Sequence, residues 1–232
     1  MTIRVYTEDG WWHLEDAYVP AVVAAEIGAS APAAMEAQAI AARTYVLRAM
    51  RDDPKLGTPA KPIRSSENFQ VYDKGKAGKE ANTRALFASW ATTGLVMRWG
   101  GQLIIANYVA GARWTGKAQL GEDYSGTEKW VTYNEGKTGK NVKPSPLSLK
   151  TRSDNRGCMS QNGAMWLAEH GYRHAAILRY FYGADIEISP FVPPAQQRPG
   201  SWPSQGAEPV QGSSAAAPLV VLAALAALAM EA

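Results

Sequence analysis

The 232-residue sequence has only one cysteine and three histidines, which limits the chemistry that it can carry. A single Cys158 forms neither an internal disulfide nor a multi-cysteine metal site, and we expect it to be a small buried thiol. The histidines are His13, His170 and His174. Gly171 is expected to end the helix that carries the second of them, so the last two share no face, and zinc needs three or four such ligands. We therefore expect no metal and no other cofactor.

The chain also carries little excess charge of either sign. The formal net charge is +3, and acidic and basic residues are interspersed along the chain. Nucleic-acid binding normally requires a clustered basic face, so we expect no nucleic-acid partner. The small positive excess leaves anionic cell-wall polymers and membrane surfaces open as partners. The first nine residues alternate like a strand and contain no apolar signal segment, so we expect no secretory signal.

The sequence contains both helical and strand patterns, but they do not alternate as βαβ units. This mixture predicts a single α+β domain over residues 1–188. The expected elements are short strands around Trp11-Trp12, helices over 30–50, 79–90, 162–170 and 174–182, and a β-hairpin joining 95–99 to 103–109. Ser30 is the expected N-cap of the first helix, whose first turn tolerates Pro32. Residues 114–156 are polar and loop-like, and such a long loop is typical of a segment that lines a site.

The C-terminal part changes composition abruptly. Residues 189–214 are rich in Pro, Gln, Gly and Ser, which predicts a flexible linker. Residues 215–232 form an apolar tail, expected to be a short helix, whose apolar run is shorter than the about 20 residues that comfortably span a bilayer. Three interpretations stay open: a short membrane anchor, a segment that inserts into a partner protein of an envelope or virion, and an alanine-rich helix that packs locally.

Glu26 is the most informative acidic residue, because it interrupts the small, apolar run from Val19 to Gly28. A carboxyl group in such surroundings is poorly solvated, and desolvation raises its pKa. A glutamate that stays protonated near neutral pH can act as a general acid. The alternative is an ordinary surface glutamate at the end of a helix.

The segment from Tyr18 to Leu47 resembles the signature of the SpoIID/LytB family of peptidoglycan enzymes and cell-wall modules. It reads Val-Val-Ala-Ala-Glu26, then a short turn, then Glu36-Ala-Gln38-Ala-Ile-Ala-Ala-Arg43-Thr44-Tyr45. Four further stretches resemble family motifs and follow in the family's order: Asn68-Phe69-Gln70-Val71-Tyr72, Thr93-Gly94-Leu95-Val96, Ile105-Ala106-Asn107-Tyr108 and Met159-Ser160-Gln161-Asn162-Gly163-Ala164.

The resemblance implies a peptidoglycan lytic transglycosylase that cleaves between N-acetylmuramic acid and N-acetylglucosamine. Such an enzyme needs only one carboxyl group, because a hydroxyl of the muramyl sugar displaces the leaving group. Glu26 is then the single general acid and base. The expected substrate-binding residues are Gln38, Tyr45, Gln70, Tyr72, Tyr108, Ser160 and Gln161. Arg43 is expected to hold the fold through an ion pair.

The chain also departs from the family pattern. Some relatives bind zinc through Cys and His residues before the Gln-x-Tyr stretch, whereas residues 63–68 contain neither type. The glycine-containing motifs expected near 109–114 and 154–158 are altered. Two further functions therefore remain: a non-catalytic peptidoglycan-binding or amidase-enhancing module, and a membrane- or virion-anchored structural protein. All three place the protein at a cell envelope or on a virion. A second carboxylate, if one is used, would come from Asp73, Glu122, Asp123 or Glu128.

Overall fold

The computed structural model describes residues 3–72 and 78–192. The helices are α1 (Val19–Ile27), α2 (Pro32–Asp52), α3 (Lys79–Ala91), α4 (Gln161–Glu169) and α5 (His174–Tyr182). The strands are β1 (Arg4–Thr7), β2 (Gly10–His13), β3 (Leu95–Trp99), β4 (Gln102–Leu103), β5 (Asn107–Val109), β6 (Trp114–Gly116), β7 (Gln119–Leu120), β8 (Cys158–Ser160) and β9 (Glu187–Pro190). This mixture of helices and small sheets confirms the predicted α+β class.

Helix α2 lies at the centre and contacts the other four helices and β3. Its alanine-rich sequence explains this position, because small side chains let neighbouring elements approach closely from several sides. The helix begins at Pro32, with Ala31 as the residue before it. The predicted N-cap at Ser30 is therefore wrong: its hydroxyl donates instead to the carbonyl of Ile27, at 2.5 Å, and contacts the sulfur of Met165. Proline suits the first turn because its missing N–H is not needed there.

The strands form four small sheets. β1 and β2 make an antiparallel hairpin around Trp11-Trp12, as predicted, and β3 is the middle strand of an antiparallel sheet with β4 and β9. The predicted second strand of the β3 hairpin, residues 103–109, is not continuous. It stops after Leu103, the N–H of Ile105 donates to the carbonyl of Asp154, and β5 then pairs in parallel with β8.

Two apolar clusters form the core, and α2 contributes to both. Val22 and Met35 belong to the cluster shared with α1, α3 and the β1–β2 hairpin. Ile40 belongs to the cluster shared with α4 and α5, which also contains Met159 and Phe181. Cys158 is buried beside this second cluster, and burial raises the pKa of its thiol far above the usual range. It is an inert thiol, as expected.

Arg43 connects these parts of the fold. Its guanidinium is fully buried and binds both carboxylate oxygens of Glu15, at 2.8 and 2.5 Å. It also donates to the carbonyls of Leu95 and Ser89, so one side chain joins α2 to the turn before α1, to α3 and to β3. These contacts agree with the predicted structural role of Arg43.

β9 crosses the predicted domain boundary at residue 188. Its pairing with β3 places Ser189 and Pro190 in a strand, although they are the first residues of the predicted linker. The linker from residue 193 onward, the apolar tail 215–232 and Asp73 lie outside the described residues.

Within residues 3–72 and 78–192, no helix is both long enough and apolar enough to cross a membrane. In the same ranges, no three or more His, Cys, Asp and Glu side chains are grouped so that they could hold a metal ion.

Candidate active site

Glu26 lies near the end of α1, one residue before the helix stops at Ile27. Seven of the other eight residues of α1 are also buried, and Glu26 itself is only 6% exposed. Its carboxyl oxygens have two different partners. Oε1 accepts the main-chain N–H of Val71, at 3.1 Å, and Oε2 accepts the side-chain amide of Gln161, also at 3.1 Å. Three distant parts of the chain therefore meet at this carboxyl group.

Burial raises the pKa of Glu26 from its ordinary value of 4.5 to about 7. The hydrogen bonds from Gln161 and Val71 oppose this rise because they stabilise the charged form, and the negative charge of Glu67 adds to it. A carboxyl group with such a pKa is present in both protonation states at neutral pH. It can therefore donate a proton in one step and accept one in the next.

Gln70 organises the buried polar groups next to this carboxyl. Its amide nitrogen donates to the hydroxyl of Tyr108 at 2.9 Å and to the carbonyl of Ala42 at 3.2 Å, while its oxygen accepts the hydroxyl proton of Tyr18 at 2.9 Å. Burial raises the pKa of both phenols, and the charge of Glu26 contributes to each rise. The two tyrosines are thus neutral hydroxyl groups close to the acid.

Gln38 and Tyr45 lie on α2, two helical turns apart, as the sequence spacing predicts. The ring of Tyr45 packs edge-on against Phe69, with ring centroids 5.2 Å apart, and faces Tyr108 at 6.5 Å. Gln38 is fully buried, and neither atom of its amide has a hydrogen-bond partner in the described part of the chain. An unpaired buried amide costs about 1–3 kcal/mol.

Tyr72 and Ser160 are placed differently from a substrate-facing residue. The hydroxyl of Tyr72 donates to the carbonyl of Ile63, at 3.2 Å, and both Tyr72 and Ser160 are buried. The hydroxyl of Ser160 caps α4 by accepting the N–H of Gly163 and donates to the carbonyl of Ala110. These contacts stabilise the chain next to Val71 and Gln161, the two partners of Glu26. Direct contact of either side chain with substrate stays a prediction.

Two of the four acids considered as a second carboxylate, Asp123 and Glu128, hold a loop together. Asp123 accepts the main-chain N–H groups of Thr127 and Glu128. Glu128 accepts the N–H of Ala112 at 2.7 Å and the hydroxyl of Tyr133. Glu122 is exposed at the surface of the same loop.

Two groups at the site were not expected from the sequence. The N–H of Val71 belongs to the main chain, so no side-chain pattern indicates it. Glu67 is an exposed residue in a polar loop, whose negative charge acts on Glu26. Its position directly before the motif that begins at Asn68 is the signal that the sequence offers.

A separate cleft of about 500 Å³ lies between β2, α1 and α3 and is lined in part by Trp12, Asp16, Pro20 and Leu86. Pro20 precedes Glu26 by six residues on α1. Because each residue turns the helix by about 100°, the two side chains point about 120° apart around the helix axis. The cleft is therefore on another side of α1 and is not the pocket of the buried acid.

The N-terminal part of the chain matches a known family. Residues 11–99 match the SpoIID family, described as "Stage II sporulation protein". The matched range contains Glu26, Gln38, Tyr45, Gln70 and Tyr72, whereas the stretches around Tyr108 and Gln161 lie beyond it. No curated protein matches the chain.

Proposed function

The chain carries a SpoIID-family segment at residues 11–99, and on that premise we propose that it is a peptidoglycan lytic transglycosylase with Glu26 as its single general acid and base. The family match supports a role at the cell wall. The observation that favours catalysis is the buried carboxyl of Glu26, whose pKa of about 7 suits an acid that must also serve as a base.

The reaction begins with the protonated carboxyl of Glu26. It gives its proton to the oxygen that joins N-acetylmuramic acid to N-acetylglucosamine, and the bond from that oxygen to the anomeric carbon breaks with its electron pair leaving on the oxygen. An oxocarbenium-like charge develops on the muramyl ring. The ionised Glu26 then takes the proton of the muramyl 6-hydroxyl, whose oxygen closes on the anomeric carbon as a 1,6-anhydro ring. No water is consumed, and Glu26 ends protonated as it began.

The neighbours of Glu26 fit these two steps. Gln161 and the N–H of Val71 each donate to one carboxyl oxygen, so the anion formed after the first proton transfer keeps two hydrogen bonds in a buried setting. Gln38 is fully buried with an unpaired amide, and its contact with the glycan stays a prediction. Tyr45, which is half-buried and packs edge-on against Phe69, is the predicted aromatic contact for a sugar ring.

The test is incubation of full-length protein with isolated sacculi, followed by mass analysis of the released fragments. The parent protein and Glu169→Gln, which changes an exposed glutamate at the end of α4, should both release fragments with anhydro-muramyl ends, and Glu26→Gln should release at least about a hundredfold less.

Fragments with reducing ends would instead identify a hydrolase. If neither the parent nor the control releases fragments, the enzymatic proposal is wrong, and cosedimentation of the inactive protein with sacculi would then favour a peptidoglycan-binding or amidase-enhancing module.

The proposed substrate places the protein at a cell envelope or on a virion that meets one. Residues 215–232 would attach it there, either to a membrane or to an envelope or virion protein. Flotation of the full-length protein with liposomes tests the membrane: recovery in the lipid fraction supports an anchor, and recovery only in the soluble fraction excludes it.

A further inference from the structure

We propose that the cleft between β2, α1 and α3 is a second, non-catalytic saccharide-binding site, which holds an N-acetylglucosamine unit of the glycan strand. The cleft lies on another side of α1 from Glu26, and Pro20 in its lining is about 9 Å from Glu26 along the helix axis. A sugar bound there is therefore not at the bond that is cut. The choice of a wall glycan as ligand rests on the proposed function, whereas the site itself rests on the cleft.

Small side chains leave the space that forms the cleft. Ala17, Pro20 and Ala21 line it from α1 and the turn before it, and Asn82 and Leu86 line it from α3. The volume of about 500 Å³ lies in the range of sites that bind small molecules. Ala17 and Asn82 are only half-buried, so the space is open to solvent. The cleft can therefore admit a sugar unit that remains part of a longer strand.

Two polar side chains of the lining each present an oxygen atom without a hydrogen bond. Oδ1 of Asp16 accepts the indole N–H of Trp90, at 3.0 Å, while Nδ1 of His13 lies 3.8 Å from Oδ2, which is too far for a hydrogen bond. The side-chain nitrogen of Asn82 donates to the carbonyl of Gly78, at 2.8 Å, and its Oδ1 has no partner among the described residues. Each group is thus held through one atom and can accept a hydrogen bond with the other.

These oxygens select a ligand that donates hydrogen bonds and carries no negative charge. Asp9 and Asp16 both line the cleft, and its lining contains no lysine or arginine within the described part of the chain. An anionic ligand, such as a phosphate polymer or the lactyl carboxylate of a muramyl unit, would be repelled. N-acetylglucosamine is neutral, and its hydroxyl and acetamido N–H groups are donors.

Aromatic rings lie beside these polar groups. Trp12 lines the cleft, and its ring packs edge-on against Tyr72, with ring centroids 5.3 Å apart, which fixes its position. Asn82, Leu86 and Trp90 follow one another at intervals of four residues, so they share a face of α3, and Trp90 is 49% exposed. A pyranose ring has an apolar C–H face that packs on an aromatic ring and a hydroxyl edge that hydrogen-bonds. The cleft offers a partner for each.

The test is titration of full-length Glu26→Gln protein with a peptide-free tetramer of N-acetylglucosamine, followed by NMR of the tryptophan indole N–H groups. The catalytic variant is used so that the ligand is not cut. The signals of Trp12 and Trp90 should shift saturably, because one ring lines the cleft and the other is bonded to Asp16. These signals report on the cleft and not on the pocket of the acid.

Two variants of the cleft, made in the same background, should each raise the Kd measured from these signals at least about tenfold. Ala17→Phe fills the space, and Asp16→Asn replaces the accepting Oδ2 by a donating amide nitrogen while the indole keeps its acceptor. Ala176→Phe makes the same change in size at an exposed position of α5 and should leave the Kd unchanged.

The absence of a saturable shift at Trp12 and Trp90 would overturn the proposal, and so would an equal Kd in Ala17→Phe and Ala176→Phe. Shifts caused by a lysine-containing stem peptide and not by the saccharide would also overturn it, because the cleft would then bind an amine.

Folding and lytic activity are measured separately from binding. The indole signal of the buried Trp114 shows whether each variant is folded, and Asp16→Asn provides the test if Ala17→Phe does not fold. If the parent protein releases no fragments from sacculi but the tetramer still binds at the cleft, the proposed function fails and this site stands. Release of anhydro-muramyl fragments without shifts at the cleft refutes this site and leaves the proposed function.

Discussion

At the scale of single residues, the burial that makes Glu26 a usable acid also acts against the stability of the fold. Its pKa is about 7 in the folded protein and near 4.5 in the unfolded chain, so the unfolded chain ionises first as the pH rises. The folded state therefore loses stability between about pH 4.5 and pH 7 and regains none of it above that range.

We therefore expect Glu26→Gln to be more stable than the parent at pH 8, by up to about 3 kcal/mol, because the neutral amide carries no ionisation cost. The difference should shrink as the pH is lowered and vanish near pH 4. Urea unfolding of both proteins across this range measures it. A constant difference at all pH values would show that Glu26 does not titrate with a raised pKa.

Gln161 gives a second prediction at this scale. Its amide lowers the pKa of Glu26 by donating to Oε2, so Gln161→Met, which is similar in size, should raise that pKa and move the alkaline limb of activity to higher pH. Gln119→Met changes an exposed glutamine of β7 and serves as the control. A limb that moves the same way in both glutamine variants, or in neither, would contradict the assignment.

The site shows which residue roles can be deduced from a sequence. The burial of Glu26 could be predicted because its apolar neighbours are adjacent to it in the chain. Gln70 and Gln161 could be named from motifs, but their roles could not, because a glutamine that binds substrate and one that holds a carboxyl group look alike in a sequence. The contacts of Gln161 depend on how α4 packs against α1.

At the scale of elements, the segment 110–112 connects the start of α4 to the loop of Glu128. Gly111 has a φ of +71°, and a Cβ built there would lie 2.3 Å from Oγ of Ser160 and 3.1 Å from a carboxylate oxygen of Glu128. Ser160 cannot move freely, because it is buried and caps α4. The α4 residue that follows the cap is Gln161.

We expect Gly111→Ala to lower the free energy of unfolding by about 2–4 kcal/mol, from the unfavourable backbone conformation and the clash together. Gly126→Ala is a matched control, because Gly126 also has a positive φ, +64°, but a Cβ added there would meet nothing within 4 Å. Guanidinium unfolding of the two variants isolates the cost of the contact. Equal losses would mean that backbone conformation alone explains the effect.

The elements also show that sequence patterns predict the positions of helices better than the pairing of strands. The helices α3, α4 and α5 lie within a residue or so of their predicted positions, because amphipathic spacing and glycines mark them locally. The strand expected over 103–109 is two strands in the structure, because β5 pairs in parallel with β8. No local pattern indicates this pairing, since β8 lies far along the chain. An apolar run indicates that a segment is buried, but it does not show which strand the segment pairs with.

At the scale of the whole molecule, Arg43 is the residue that most parts of the fold share. Arg43→Ala should cost about 3–5 kcal/mol, because it leaves the carboxylate of Glu15 and two main-chain carbonyls without their buried partner. Arg51→Ala removes a much more exposed pair with Asp52 and should cost at most about 1 kcal/mol. Thermal unfolding of both variants measures the difference, and similar shifts would refute the central role of Arg43.

The whole-molecule class, α+β, could be predicted because it follows from the kinds of element and their order. The position of α2 between the two apolar clusters could not be predicted. The sequence of an alanine-rich helix with polar residues does not show that other elements pack against both of its sides.

The hydrogen bond between Gln161 and Glu26 joins positions 135 residues apart. During synthesis the acid leaves the ribosome long before its partner is made, and at that stage its carboxyl group is hydrated and ionised like that of any peptide. Its pKa rises only when the folded chain buries it. On the function proposed above, a nascent or clipped chain would carry every atom of the acid without its raised pKa, and only finished molecules would be lytic.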